Sequence, residues 1–410
     1  MLTIKPAATR TTMTAALSGV ALLAAGLTVG CGTATSGHPA AASVSVGPSL
    51  HCAGAAGART AGVYSALTQV PVPALDAVEF VSASRGWAAG AGRVLATTDG
   101  GRTWTRQYSG TAALDQVDFV DAQHGWAAGT NSLLRTTDGG TTWTAASDPC
   151  GAIRSVHFVT PDVGYAVAGG SQVRIDGGVP APVAGGELLA TTDGGQTWAA
   201  LTAAPAQAQT ACFTSPSSGF LGTPGKIWRT SDGGTTWSLA FTEPAASGAR
   251  PGTADTTLLE CTGGSAVWAM FLGSGAALGH APYLAYRTQS AVSMQPLLEE
   301  TYIESAIRPQ VHAPAGPGSY PGPFSAIGPD AAAFVGFDPA VGYGAAPLMM
   351  VTGGALHAQG NVTGISQAYG AAFVSATQGW VVGKNLQSGQ SAIEATTDAG
   401  HTWTPQYQTP

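Results

Sequence analysis

Residues 97–104 read TTDGGRTW, and the chain repeats this eight-residue phrase four more times. The other copies are TTDGGTTW at 136–143, TTDGGQTW at 191–198, TSDGGTTW at 230–237 and TTDAGHTW at 396–403. An Asp followed by glycine favours a tight turn, because its carboxylate accepts hydrogen bonds from the turn's own N–H groups and glycine adopts positive φ. The Trp that closes each phrase can open the next strand and bury a large face. The phrase therefore predicts a recurring strand, turn and strand.

The repeat extends on the N-terminal side of this turn. The stretches that precede the phrase read VEFVSASRGWAAG at 78–90, VDFVDAQHGWAAG at 117–129, VHFVTPDVGYAVAG at 156–169 and AFVSATQGWVVG at 372–383. Each contains an apolar strand, a polar turn and a second strand that opens with Gly and an aromatic residue. The complete unit is therefore two strands joined by a turn, a third strand, the Asp turn and a fourth strand.

The spacing of the Asp residues sets the number of units. Asp99 and Asp138 are 39 residues apart, while Asp232 and Asp398 are separated by 166 residues, enough for two further units with degenerate turns. We place these two units at 261–290 and 333–354. Seven units of four short strands, each about 40 to 50 residues long, predict an all-β, seven-bladed β-propeller with four-stranded antiparallel blades.

The repeated phrase resembles the Asp-box, or BNR repeat, with the pattern S/T-x-D-x-G-x-T-W. It is similar to the repeats of sialidases, sortilin-type receptors and photosystem II assembly-factor propellers, all within the WD40/YVTN/BNR-like superfamily. FVDAQHGWAAG at 119–129, followed by LLRTTDGGTTW at 133–143, resembles in particular the assembly-factor type. That resemblance implies a non-enzymatic seven-bladed scaffold that binds protein partners, and it implies nothing about photosynthesis.

In this interpretation the box residues are structural. The Asp side chains hold the turns, and all ten Trp side chains of the sequence pack between blades. The structural box residues are Asp99, Trp104, Asp138, Trp143, Asp193, Trp198, Asp232, Trp237, Asp398 and Trp403.

The N-terminal stretch predicts export. Residues 1–30 carry Lys5 and Arg10 ahead of an apolar run that is short for a transmembrane span, which is typical of a signal peptide. The run ends at Cys31, where the sequence resembles a bacterial lipoprotein signal. We expect lipidation of Cys31 and anchoring to the outer face of the bacterial cytoplasmic membrane, the alternatives being a secreted protein and an uncleaved anchor. Residues 31–58 are predicted to form a flexible tether and residues 59–410 the propeller.

The charge of the mature chain argues against nucleic-acid binding. Removal of Lys5 and Arg10 leaves 16 − 2 = 14 basic residues against 23 acidic ones, a formal charge of 14 − 23 = −9. No run of Lys or Arg occurs, whereas nucleic-acid interfaces need a basic surface.

Four further cysteines, Cys52, Cys150, Cys212 and Cys261, form an even set in an exported chain and predict two disulfides. Alignment of the units places Cys212 and Cys261 one position apart in the first strands of neighbouring units. We therefore favour Cys212 with Cys261 and Cys52 with Cys150 among the three connectivities.

The longest insertion, residues 299–324, is the candidate binding loop, because loops carry function on a repeated scaffold. Shorter insertions lie at 171–186, 243–255 and 273–282. The charged and aromatic residues of the long insertion are Glu299, Glu300, Tyr302, Glu304, Arg308, His312 and Tyr320.

A sialidase-like hydrolase is the sharpest enzymatic hypothesis. That chemistry needs three arginines on a carboxylate, a Tyr nucleophile with a Glu partner, and an Asp acid/base. The aromatic-Arg-Ile-Pro phrase that those enzymes carry ahead of the first box does not precede Thr97; the nearest phrase, Ile307-Arg308-Pro309, lies inside the long insertion. We expect no catalytic residues, cofactor or metal, because each Asp-box supplies one carboxylate that its own turn uses.

The sequence therefore predicts a lipid-anchored, non-enzymatic propeller that binds envelope proteins or assembles them. The alternative is a carbohydrate-active propeller that binds or hydrolyses a glycan.

Overall fold

The computed structural model describes residues 75–111, 114–129, 132–147, 153–169, 185–244, 254–263, 266–273, 280–290, 293–300 and 310–409. The predicted signal peptide, the tether, Cys31, Cys52 and Cys150 lie outside these residues. So does the segment 59–74, which the sequence assigns to the propeller domain.

The described residues form 28 strands and no helix, and the strands pair into seven antiparallel four-stranded blades. Blade one contains β1 (Ala77–Phe80), β2 (Gly86–Gly90), β3 (Arg93–Thr97) and β4 (Thr105–Ser109). Blade two contains β5 (Leu114–Phe119), β6 (Gly125–Gly129), β7 (Ser132–Thr136) and β8 (Thr144–Ala145). Blade three contains β9 (Ile153–Phe158), β10 (Gly164–Ala168), β11 (Glu187–Thr191) and β12 (Ala199–Ala200). Blade four contains β13 (Thr210–Phe213), β14 (Gly219–Thr223), β15 (Lys226–Thr230) and β16 (Ser238–Thr242).

The remaining three blades include the two degenerate units. Blade five contains β17 (Ala254–Thr262), β18 (Ala266–Gly273), β19 (Tyr283–Ser290) and β20 (Ser293–Glu299). Blade six contains β21 (Phe324–Gly328), β22 (Ala331–Val335), β23 (Pro347–Thr352) and β24 (Ala355–Asn361). Blade seven contains β25 (Gln367–Phe373), β26 (Gly379–Lys384), β27 (Ser391–Thr396) and β28 (Thr404–Gln408). The predicted seven-bladed propeller is thus confirmed, and its degenerate units are complete blades.

The first strands of the blades form a closed inner ring. Each one contacts the first strand of the next blade, and the cycle closes where β25 of blade seven meets β1 of blade one. Within each blade the strands follow sequence order outward from this ring. The first strands therefore surround the axis of the propeller.

All Asp-boxes lie on one face of the ring. In blade one the N–H of Gly100, inside the box, donates to the carbonyl of Ser84 in the turn between the first two strands at 2.9 Å. The equivalent bond in blade two joins Gly139 to Gln123 at 2.8 Å. We call this side the box face. Because the strands are antiparallel, the connections between second and third strands and those between successive blades are on the opposite side, the insertion face.

Within the described residues, blade seven is built from one stretch of the chain. Residues 404–408, which follow Trp403, form β28, and all four described strands of the blade come from the C-terminal stretch, while β1 belongs to blade one. Residues 59–74, which precede β1, lie outside the described residues. In the described part of the ring, side chains make the contacts between blades seven and one.

Candidate functional site

The Asp-box carboxylates are held by their own turns. Asp99 accepts hydrogen bonds from the hydroxyl of Thr97 (2.8 Å), the N–H of Thr103 (2.9 Å) and the hydroxyl of Thr103 (2.7 Å). These bonds, chiefly those from Thr103, lower the pKa of Asp99 to about 2. The same contacts recur at the other four boxes, at Asp138, Asp193, Asp232 and Asp398. This network commits each carboxylate to its turn.

Aromatic residues of the second strands join neighbouring blades. Trp126 of blade two stacks on Phe158 of blade three, with ring centroids 3.4 Å apart, and its indole N–H donates to the carbonyl of Gly194 in the box of blade three at 3.1 Å. The ring closes by the same contact: Trp380 of blade seven stacks on Phe80 of blade one at 3.4 Å. The other stacked pairs of this kind are Trp87 with Phe119 and Tyr165 with Phe213.

The box tryptophans lie differently. Trp104 meets Phe80 of its own blade edge-on, with centroids 5.9 Å apart, and Trp143, Trp198 and Trp237 repeat this contact in blades two to four. Trp228 donates its indole N–H to the hydroxyl of Thr223, also inside its own blade. Trp228 and Trp237 also pack against the apolar cluster that blades three and four share, so the expected packing between blades holds for them as well as for the second-strand positions.

A second set of contacts joins the first strands. The N–H of Phe119 in blade two donates to Oε2 of Glu79 in blade one at 2.8 Å. At the equivalent position of blade two, Oδ2 of Asp118 accepts the N–H of Phe158 in blade three at 2.6 Å. His157 donates from Nε2 to the carbonyl of Phe213 at 2.8 Å. We call each contact of this register a first-strand staple.

In blades five and six the same first-strand position also contacts the next blade, but the residue types differ. Glu260 accepts the N–H of Ala326 at 2.6 Å, and the hydroxyl of Ser325 accepts the N–H of Phe373 at 3.0 Å. Between blades four and five, a disulfide joins Cys212 to Cys261 with an S–S distance of 2.06 Å. Cys212 occupies the staple position of blade four, and Cys261 the position that Phe119 occupies in blade two. The disulfide is therefore a covalent first-strand staple.

Burial changes the protonation of the staple carboxyls. Burial and the charge of Asp118 raise the pKa of Glu79 well above its ordinary value. Burial raises the pKa of Glu260 to about 8. Burial alone would lower the pKa of His157, but its hydrogen bond to Asp118 and the charge of that carboxylate outweigh this and raise it. His157 is therefore part of the inner ring of first strands, with its side chain partly exposed.

A cavity of about 310 Å³ lies on the axis and is lined by residues from the first-strand region of all seven blades. Its polar lining comprises Asp76, Asp115, Gln116, Arg154, Glu260 and Tyr369, among others. Burial lowers the pKa of Arg154 to about 10, so this side chain stays charged at neutral pH. Most of these residues belong to the beginnings of the first strands, so the cavity lies toward the insertion face.

The described lining of this cavity contains one arginine, Arg154. The three arginines that a sialidase uses are therefore not found together in the described lining of this cavity. In the same part of the chain, no group of three or more His, Cys, Asp or Glu side chains is arranged to hold a metal ion. No helix of the described residues is long and apolar enough to span a membrane.

The described residues of the candidate binding loop lie in different surroundings, some buried and some exposed. Glu299 ends β20, and Glu299 and Glu300 are only 4% and 3% exposed. Oε1 of Glu300 lies 2.7 Å from Nδ1 of His280, and burial raises the pKa of Glu299. Both glutamates, which the sequence places in the candidate binding loop, are therefore largely buried, because the chain at 314–316 returns alongside β20 and covers Glu299.

The other members of that loop differ in position. His312 is exposed, and Tyr320 packs partly buried near Phe337 with centroids 6.1 Å apart. Tyr302, Glu304 and Arg308 lie outside the described residues.

Two loops of the insertion face were not expected from the sequence. Residues 336–346 connect β22 to β23, and residues 385–390 connect β26 to β27. They expose three large apolar side chains, Val341 (52%), Tyr343 (64%) and Leu386 (36%). Alignment against the box units could have revealed both loops, since each exceeds the two-residue turn at 91–92 of blade one.

Comparison with known proteins agrees with this architecture. Residues 107–255 match the family model described as Photosynthesis system II assembly factor YCF48. No curated protein sequence matches the chain.

Solved structures resemble the chain only distantly. An ancestral GH74 enzyme is 12% identical with a TM-score of 0.47, covering 82% of this chain and 47% of its own. The tricorn protease is 8% identical with a TM-score of 0.45, covering 82% of this chain and 36% of its own. U3-55K is 8% identical with a TM-score of 0.48, covering 76% of this chain and 89% of its own. The chain thus spans less than half the length of the first two proteins, and similarities this distant carry no functional information.

The five boxes, the seven blades and the match of residues 107–255 lead to one conclusion: the chain is a seven-bladed β-propeller with BNR repeats, and residues 107–255 of it are similar to the photosystem II assembly-factor family.

Proposed function

We propose that this protein is an exported, lipid-anchored scaffold that binds a protein partner at the cell envelope through its insertion face and carries no catalytic activity. The observation that carries the proposal is the difference between the two faces. The box face repeats the same hydrogen-bonded turn five times, at Asp99, Asp138, Asp193, Asp232 and Asp398. The axial cavity and the non-repeated connections lie toward the other face.

The chemistry of the repeat supports a scaffold rather than an enzyme. Catalysis requires a side chain that is free to react and is held in place by its neighbours. The regularly placed carboxylates instead bind their own turns, and Glu79, Asp118 and Glu260 accept N–H groups of the next blade. These residues hold the ring together. We therefore assign partner binding to the loops that differ from blade to blade.

The first experiment is affinity capture from crosslinked membranes of the source cells. It compares the full protein with a variant in which residues 301–309 are replaced by a Gly-Ser linker of equal length. This replacement leaves Glu299 and the returning strand at 314–316 intact, whereas removal of the whole insertion would expose them. The matched control carries Arg102→Glu and His401→Glu, two exposed positions in the boxes of blades one and seven.

We expect specific envelope proteins with the full protein and with the box-face control, and their loss with the linker variant. Equal capture by all three proteins would contradict a role for this part of the insertion face. Recovery of cell-wall glycan without protein would contradict protein binding and favour the carbohydrate alternative.

The anchor has its own test. Replacement Cys31→Ser should abolish incorporation of labelled palmitate and move the protein from the membrane fraction to the medium. Unchanged labelling and fractionation would contradict the lipoprotein assignment without affecting the proposed binding face.

A further inference from the structure

Exposed apolar side chains concentrate on blades six and seven. The described residues include four large apolar side chains that are strongly exposed, and three of them, Val341, Tyr343 and Leu386, lie on the neighbouring loops 336–346 and 385–390. The fourth, Leu239, lies on the outer strand β16 of blade four and is 50% exposed. Scattered apolar residues are normal on protein surfaces, whereas a cluster indicates a contact.

The two loops are in contact. A Cβ placed on Gly344 would lie 3.3 Å from Cδ1 of Leu386, so the Leu386 side chain rests against the 336–346 loop. A tight turn from Val341 to Gly344 and paired N–H···O bonds between Asp338 and Ala345 hold that loop. The N–H of Leu386 donates to the hydroxyl of Ser366 at 3.2 Å. We call Val341, Tyr343 and Leu386 the apolar patch.

The chain enters the described structure beside this patch. Leu75, the first described residue, is 3% exposed and packs in one cluster with Val382 and Ile393 of blade seven. Leu386 follows Val382 by four residues, so the two lie within about 13 Å of each other at full extension. The residues that precede Leu75 therefore join the propeller at the blade that carries Leu386.

The sequence ahead of Leu75 suits this surface. Residues 59–74 read RTAGVYSALTQVPVPA, with Arg59 as the one charged residue and with Val63, Leu67 and Val70 at intervals of four and three. Fully extended, these sixteen residues span at most about 55 Å, and as a helix about 24 Å. Both lengths exceed the separation of Leu75 from Leu386 that the cluster allows.

We propose that residues 59–74 fold back on the insertion face and cover the apolar patch of blades six and seven. The occupant of the patch is thus the chain's own N-terminal segment. The segment then spans blades six and seven from its attachment at Leu75 in blade one. This inference is independent of the proposed partner binding.

Site-specific photo-crosslinking tests the proposal on the full-length protein. A benzophenone amino acid replaces Tyr343 in the test variant and Leu239 in the matched control, both of which are more than one third exposed. After irradiation and trypsin digestion, fragment spectra locate the crosslinked residue. We expect the Tyr343 variant to link within its own chain to residues 60–74 of the tryptic peptide 60–85, and the Leu239 variant not to do so.

A further variant separates specific docking from chance proximity. Leu67→Asp with Val70→Asp, combined with the photoreactive residue at 343, should abolish the link, because a carboxylate is costly to bury against an apolar surface. Persistence of the link in that variant, links between two copies of the chain, or a yield at 343 no higher than at 239 would each overturn the proposal.

Discussion

The interface between blades four and five and the interface between blades seven and one hold equivalent places in the ring, yet they are joined in opposite ways. Between blades four and five, Cys212 and Cys261 form a covalent staple, while Phe220 stands where blade two has Trp126. Between blades seven and one the staple position is Ala372, which has no polar side-chain atom. There the stacking of Trp380 on Phe80 and its bond to Gly100 make the junction.

Every interface of the described ring therefore has a staple, an aromatic contact or both. Blades one to three have both, with Trp87, Trp126 and Tyr165 as the aromatic residues. Blade five combines the Glu260 staple with Trp268, whose indole N–H donates to the carbonyl of Gly328 at 2.8 Å. Blade six has the Ser325 staple alone. The comparison indicates that a staple and an aromatic contact substitute for each other. The interface between blades seven and one, the seven–one seam, has no first-strand staple and depends chiefly on Trp380, beside which Gln378 donates to the carbonyl of Ala83 at 3.1 Å.

The largest expected effect is that of Trp380→Ala. Removal of a buried Trp typically costs about 3 to 5 kcal/mol of unfolding free energy, and the seam has no first-strand staple to compensate. The control is Trp126→Ala, whose interface keeps the bond from Phe158 to Asp118. Guanidinium unfolding of both variants should show the greater loss for Trp380→Ala. An equal or greater loss for Trp126→Ala would contradict the chief dependence of the seam on Trp380.

Next in size is the loss of the covalent staple. The double replacement Cys212→Ser with Cys261→Ser opens a loop of 49 residues. A disulfide that closes a loop of this length contributes typically about 2 to 4 kcal/mol. Thermal unfolding should show a clear decrease in midpoint for the double variant, and reductant should then lower the wild-type midpoint by more than it lowers that of the variant. An unchanged midpoint would mean that packing alone secures this interface.

A pH-dependent change in stability follows from the buried carboxyl group of Glu260. Its pKa is raised by burial from 4.5 to about 8, so the folded state binds the proton more tightly than the unfolded state. The resulting stabilisation is complete below about pH 4.5 and is lost as the pH rises through about 8. Glu260→Gln keeps an oxygen for the N–H of Ala326 and cannot ionise. Between about pH 5 and pH 8 the wild type should lose stability relative to this variant, whereas exposed Glu187→Gln should leave the pH dependence unchanged. Parallel pH profiles for wild type and Glu260→Gln would contradict the burial of an ionisable staple.

The smallest expected effect is an increase in the unfolding free energy from a change at the seven–one seam. Ala372→Ser supplies a hydroxyl in the position from which Ser325 accepts the N–H of Phe373 at 3.0 Å. If it accepts the N–H of Phe80 in the same way, the unfolding free energy should rise by about 1 kcal/mol. Ala372→Val is the control, since it adds volume without an acceptor. A gain for Val as large as that for Ser would show that packing, and not the missing staple, limits the seam.

Local pattern made the fold predictable. The box turns depend on residues within eight positions, so the sequence specified them directly. The spacing of the boxes left room for blades five and six, and alignment placed them although their turns differ. Alignment also paired Cys212 with Cys261, because the staple position of one first strand lies beside the next position of the neighbouring first strand. These are contacts that a repeat defines by itself.

Contacts between distant stretches were not predictable in this way. Asp76, Asp115 and Arg154 meet around one cavity only because seven blades converge on the axis, and no local motif marks their positions. Glu299 and Glu300 stood in a Pro- and Gly-rich insertion that suggested exposure. Their burial follows from the return of residues 314–316 along β20, a pairing that the sequence does not encode by periodicity.

The continuity of each described blade in the sequence has a genetic consequence. Each described blade is a single uninterrupted stretch of sequence, from the first strand to the fourth. A duplication or deletion bounded by two blade junctions therefore adds or removes a complete sheet and leaves no strand without its neighbours. Such a gene can change the number of its blades in one recombination event, and a newly copied blade already carries residues able to contact the blade on either side.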